Sequence, residues 1–153
     1  MIHTLGKIID RQILYLIPEQ NSSWAPFLPE SNWLLFAIAD NPQISKVYEL
    51  AKICRAKNVL YLCSASEAAN EIEDIFDFEF VNRKVQTGDE NYDDTPITTK
   101  HEDFDEAFWF ASVVAKHEIQ RIDKVICINL TDHDYKERIM HLIGKINKGW
   151  LPS

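Results

Sequence analysis

Glycine is scarce. Only Gly6, Gly88, Gly144 and Gly149 occur in 153 residues, and they form neither G-x-G-x-x-G nor G-x-x-x-x-G-K-S/T. Both loops need glycine so that backbone N–H groups can approach phosphate closely. This argues against a standard dinucleotide or P-loop site, and no cofactor is expected. Cysteine is equally thin. Cys54, Cys63 and Cys127 are an odd number, widely spaced, each inside an apolar segment, with no C-x-x-C among them. A zinc knuckle and a thioredoxin-type motif are thereby missing. Three reduced, buried thiols acting as small hydrophobes are expected. A catalytic Cys63 at a strand end would need a neighbouring base to lower its pKa. Positive charge is also short: 16 Lys+Arg against 24 acids leave a formal charge of −8. That balance disfavours a nucleic-acid binder that works by neutralising phosphates. No apolar run approaches the ~20 residues of a membrane span. The first seven residues lack the apolar stretch and cleavage site of a signal peptide. A soluble, cytoplasmic protein is expected.

What is present is enough to fill one core. With 46% apolar and 11% aromatic residues, the chain reads as a single α/β domain over residues 1–153. Residues 11–17 read as a strand halted by Pro18. An irregular, Pro-rich connection over 18–32 follows. Residues 33–39 are continuously apolar, as expected of a strand buried on both faces. Asp40 or Asn41 can cap the next helix, with Pro42 at its first position. Residues 58–63 form a second buried strand. Ser64-Ala65-Ser66-Glu67 has capping-box spacing and opens a helix to about Ile75. A weaker, edge-type strand is expected over 79–85, then an acidic, polar connection over 86–103. Asp103-Phe104-Asp105-Glu106 opens a helix to about Gln120. A third apolar strand spans 124–130, and Thr131 or Asp132 caps a last helix that Gly149 ends. Apolar strands alternating with amphipathic helices predict a three-layer, Rossmann-like α/β sandwich with a mainly parallel sheet and no dinucleotide loop.

In open parallel sheets ligands bind beyond the carboxyl ends of the strands. Those ends present Asp40, Ser64, Ser66, Thr131, Asp132 and His133, and the connection before the 104–120 helix adds Thr98, Thr99, His101 and Glu102. A small-ligand binder or metal-dependent hydrolase can use such groups, with His101 as acid/base and Asp40 and Asp132 as metal or hydroxyl ligands. Helix capping accounts for Asp40, Ser64, Thr131 and Asp132 without any chemistry. His3, His117 and His141 are scattered without ligand spacing, and no metal site is expected.

Charge is concentrated in one place. Thr87 to Glu106 holds eight acids (Asp89, Glu90, Asp93, Asp94, Glu102, Asp103, Asp105 and Glu106) and one base, Lys100, so it carries −7 of the −8. Acids at a helix N-terminus answer the helix dipole, which accounts for Asp103, Asp105 and Glu106. It does not account for Asp89, Glu90, Asp93 and Asp94. A local field of one sign steers a basic partner. Beside it, residues 107–115 are apolar nearly all round. Either that helix is covered on several sides, or a face bearing Trp109 meets a partner, including a second copy of the chain in a homodimer.

The stretch Ile97-Thr98-Thr99-Lys100-His101, followed by acids and then Glu106-Ala107-Phe108-Trp109-Phe110, resembles a family signature. Small, uncharacterised bacterial α/β proteins carry Thr-Thr-Trp-His and then Glu-Ala-Leu-Trp-Phe. Lys100 stands where the signature has tryptophan, and Phe108 where it has leucine. The resemblance implies no activity, but it puts Thr99, His101, Glu106 and Trp109 first for testing. The leading expectation is a non-catalytic protein-binding module. Its specific form would be an immunity-type protein that neutralises a basic, nuclease-like toxin. No nucleic acid or membrane partner is expected.

Overall fold

The computed structural model describes residues 2–18, 24–40, 44–65, 68–87 and 96–153. Strands β1 (Ile2–Ile8) and β2 (Arg11–Leu16) form an antiparallel hairpin. Then come β3 (Trp33–Ile38), α1 (Ile44–Ala56), β4 (Tyr61–Ala65), α2 (Ala69–Thr87) and β5 (Ile97–His101). Helix α3 (Phe104–Trp109) runs into a π turn (Phe110–Val114), and β6 (Lys124–Asn129) and α4 (Lys136–Asn147) complete the order. One six-stranded sheet results, in the order β1-β2-β6-β3-β4-β5, parallel throughout except at β1.

The apolar run of β3 is explained by its place between two helical layers. All six residues are buried. Leu34, Phe36 and Ile38 join the core under α3 and α4. Trp33, Leu35 and Ala37 join the core under α1 and α2. Because successive side chains of a strand point to opposite faces, burial on both faces erases the alternation of a half-exposed strand. The arrangement is a three-layer α/β fold. On one side Phe36 meets Phe104 and Phe108 edge-on, with ring centroids at 5.4 and 5.6 Å. On the other, Trp24 and Leu28 of the Pro-rich connection are buried in the second core.

Four expectations are corrected. The strand expected over 79–85 lies inside α2, whose Ile72, Ile75, Phe76 and Phe80 recur at helical spacing and are buried. The Arg55 guanidinium, 2.9 Å from the Glu79 carboxylate, ties α2 to α1. The edge strand is instead β5, in what read as a polar connection. The helix expected to reach Gln120 stops early. Ala115 N–H already bonds to Phe110 O, and the Ser112 hydroxyl turns back to Phe108 O at 2.7 Å. Finally, neither Thr131 nor Asp132 caps α4; the Asp134 carboxylate accepts from Lys136 N–H at 2.9 Å. At the far end Gly149 (φ 94°) closes α4 as expected, with Gly149 N–H on Ile146 O and Trp150 N–H on Lys145 O.

Strand β1 has no counterpart in the sequence reading. Its register shifts between Thr4 and Gly6, a β-bulge. A Cβ on Gly6 would sit 3.2 Å from the Ile143 side chain of α4, a tight contact that would need Ile143 to give by a few tenths of an ångström. The hairpin turn holds Ile9 at φ 56°. For a β-branched residue the left-handed region costs roughly 1–2 kcal/mol.

Candidate functional site

The carboxyl ends of the five parallel strands lie along one edge of the sheet, where the sequence places its polar candidates. At β6 the polar groups are largely spent on each other. Asn129 donates through Nδ2 to Tyr15 Oη (2.9 Å) and His133 O (2.5 Å), and its Oδ1 accepts from Thr131 N–H and Oγ1 at 2.9 and 2.7 Å. Tyr15 in turn donates to Asp134 Oδ1 and accepts from Tyr135 N–H, both at 2.9 Å. Burial raises the Tyr15 hydroxyl pKa. Asp134 is held below the ordinary carboxylate range by the Lys136 N–H and the Tyr15 hydroxyl. Asp132 is exposed beside this network.

The α3 N-terminus is also tied in. Asp103 Oδ1 accepts from Asp105 N–H (2.8 Å) and Glu106 N–H (3.1 Å), as the spacing predicted. Asp105 takes two hydrogen bonds from Arg138 of α4, at 3.0 and 3.2 Å. The Arg138 guanidinium also lies 4.3 Å from the centroid of the Phe104 ring, and Phe104 stacks on Tyr135 at 5.0 Å. Nothing in the sequence marked Arg138 or Tyr135, because the contact needs two helices brought together from distant segments.

His101 ends β5. Its ring is 4.8 Å from Phe110, and Nδ1 is 4.0 Å from Glu106 Oε1. Burial lowers its pKa below the ordinary value, the Glu106 charge opposing. Among the described residues its Nε2 is buried without a hydrogen-bond partner, as are Trp109 Nε1 and Asp40 Oδ1. Thr99 Oγ1 lies 3.4 Å from Cys63 Sγ. Burial pushes the Cys63 thiol up to about 12, and Cys54 and Cys127 upward as well. All three cysteines are free and buried, a state that keeps thiols inert.

The candidate residues thus stand on separate strands. Two strands, β4 and β3, separate β5 from β6, so His101 and the β6 end that carries Asp132 are roughly 14 Å apart at strand spacing. Asp40 follows β3, between them. Among the described residues no group of three or more His, Cys, Asp or Glu is placed to hold a metal. Glu102, Asp103 and Glu106 are exposed at the β5 end, while Asp105 is partly covered by its arginine. Asp89, Glu90, Asp93 and Asp94 lie outside the described residues. No helix among the described residues is long and apolar enough to cross a membrane.

A family defined as a domain of unknown function, DUF7684, matches residues 12–146. The chain belongs to the DUF7684 family. The match runs from the second residue of β2 to the last turn of α4, so among the described residues of this DUF7684 member it takes in the five parallel strands and α1 to α4, less Arg11 and Asn147. Strand β1 and the hairpin turn precede it. No curated protein matches the chain.

Proposed function

We propose that this DUF7684 member is a non-catalytic protein-binding module that takes a basic partner at the acidic end of β5. The observation that carries the reading is the meeting of charge with an open sheet edge. Among the described residues strand β5 pairs only with β4, which leaves its outer side an edge of the sheet, and exposed Glu102, Asp103 and Glu106 follow it. The stretch that runs into and past this strand holds −7 of the formal −8. An exposed strand edge offers backbone groups for pairing with another chain. A surrounding negative field selects a basic one and raises its on-rate. The specific form is an immunity-type protein whose acidic surface fills the phosphate-binding cleft of a nuclease-like toxin.

The test is co-purification at low and high salt with wild type and a variant bearing Asp89→Asn, Glu90→Gln, Asp93→Asn and Asp94→Asn. A basic partner retained only at low salt, and lost by the variant, supports the reading. No salt-sensitive partner in either condition sinks it.

One observation favours a small-ligand binder or metal-dependent hydrolase instead. Asp40 Oδ1 and His101 Nε2 are buried polar atoms without partners among the described residues, both at the carboxyl ends, and such atoms call for an explanation. The strand order β5-β4-β3-β6 supports a Rossmann-like reading, since the chain leaves β3 toward one side and later returns on the other. Asp40 follows the strand at that switch, where doubly wound sheets bind ligands. Titration with Mg²⁺ while following the His101 ring resonances tests this form; an unshifted spectrum removes the metal-dependent version.

A further inference from the structure

At the opposite end of the sheet, a cleft of about 580 Å³ opens between the β1–β2 turn and the segment after α3. We propose that it is a binding site for a small organic anion, a carboxylate or phosphate monoester with an apolar body. The volume lies inside the roughly 300–1,000 Å³ range of small-molecule sites. Its charged lining is mostly cationic: Arg11, Lys116 and Arg121 stand against one carboxylate, Asp10, with Ser112, His117 and Gln120 as the neutral polar groups. That carboxylate is already engaged, 2.7 Å from Arg121 Nη2. Lys116 has no hydrogen-bond or ion-pair partner among the described residues, and it is exposed at the cleft. A net positive cleft in a chain of charge −8 is not a consequence of composition.

The lining is also built rather than incidental. The buried Arg11 donates through Nη1 to Ala111 O at 2.8 Å and through Nη2 to Ala115 O. It thereby fixes the π turn that forms one wall. Single π turns recur at functional sites. His117 Nδ1 accepts from Ile119 N–H (3.2 Å) and Gln120 N–H (3.1 Å), which leaves Nε2 to carry the proton as a further donor. On the apolar side, Val113 and Ile9 line the cleft. Ile9 is 73% exposed and held at φ 56°, where a two-residue hairpin turn favours glycine. A branched apolar side chain that is both strained and exposed fits a role in contact with a ligand.

The experiment titrates the full chain with phenyl phosphate and benzoate and follows backbone amide shifts of residues 9–11 and 112–122. Inorganic phosphate and benzyl alcohol supply the anion and the apolar body separately. Saturable shifts confined to these residues are expected for at least one of the two organic anions, at lower concentration than for either control. The variant Lys116→Gln/Arg121→Gln, altered at exposed positions, should bind about tenfold more weakly, the loss of charge-assisted contacts. Ile9→Gly should weaken binding while raising Tm, because it relieves the turn. Three results would each overturn the proposal: no saturable shift with either organic anion at millimolar concentration, unchanged affinity in the double variant, or equal binding of benzyl alcohol.

Discussion

At the scale of single residues, the structure rests on polar groups buried by distant partners. Arg11 is 7% exposed and bonds two carbonyls about a hundred positions away along the chain. Burial lowers its pKa, the nearby Asp10 opposing. Arg11→Met keeps much of the stem but strands both carbonyls, so a loss of about 2–4 kcal/mol is expected in urea denaturation. His101 offers a pH test. Its folded pKa is depressed by burial, so the neutral form is the one that the fold holds. Its contribution is therefore complete above the unfolded value near 6.5 and is lost as pH falls through the lower folded value. Thermal melts should show the wild type losing stability from pH 7 towards pH 5, with His101→Gln flatter over that window. A parallel pair of curves would mean that His101 titrates normally.

Among the elements, legibility followed burial. Strands β3 and β6 and most of β4 declared themselves because burial on both faces leaves uninterrupted apolar runs, and α4 because Ile139, Leu142 and Ile143 repeat along one stripe. Helix α2 hid its C-terminal half. Phe78 and Val81 are exposed beside buried Phe80, so the apolar residues there do not fall on one stripe, and the local pattern passes for a strand. Strand β5 went unread because its side chains are exposed or half-buried, although Thr98 and Thr99 are β-formers. The end of the 104–114 helical segment was illegible for a different reason: the contact that holds it is made by Arg11 from β2. Helix α3 has only six residues and depends on its cap. This permits a separation of stability from charge. Asp103→Ala should cost about 1 kcal/mol, whereas Asp103→Asn keeps the cap and should leave stability nearly unchanged. If Asp103 serves only the helix, the Asn variant will retain the basic partner as the wild type does. Weaker, less salt-sensitive retention in the Asn variant alone assigns its charge to recognition.

On the scale of the whole molecule, charge is graded along the strand axis. Asp40, Glu102, Asp103, Asp105, Glu106, Asp132 and Asp134 lie at or beyond the carboxyl ends of β3, β5 and β6, against Lys100, Lys136 and Arg138. At the amino ends Arg11, Lys116 and Arg121 are matched by Asp10, Glu118 and Asp123, so that end is close to neutral and the carboxyl ends are net negative. The described part of the acidic site was legible in sequence as adjacent residues. The basic cleft was not, since it draws on β2 and on the segment after α3. Such a gradient orients the molecule in the field of a basic partner, so association, more than dissociation, should respond to ionic strength. Neutralising Asp89, Glu90, Asp93, Asp94, Glu102 and Glu106 together removes six charges without touching the Asp103 cap or the Asp105–Arg138 pair. The chain then falls from −8 to −2. Self-repulsion declines, so Tm should hold or rise slightly, while the association rate should drop by at least about tenfold at low salt and converge with the wild type at high salt. Stopped-flow mixing across a salt series measures both limits. Equal rates at low salt would mean that the acidic end does no steering, and would remove the reading of a basic partner drawn to it.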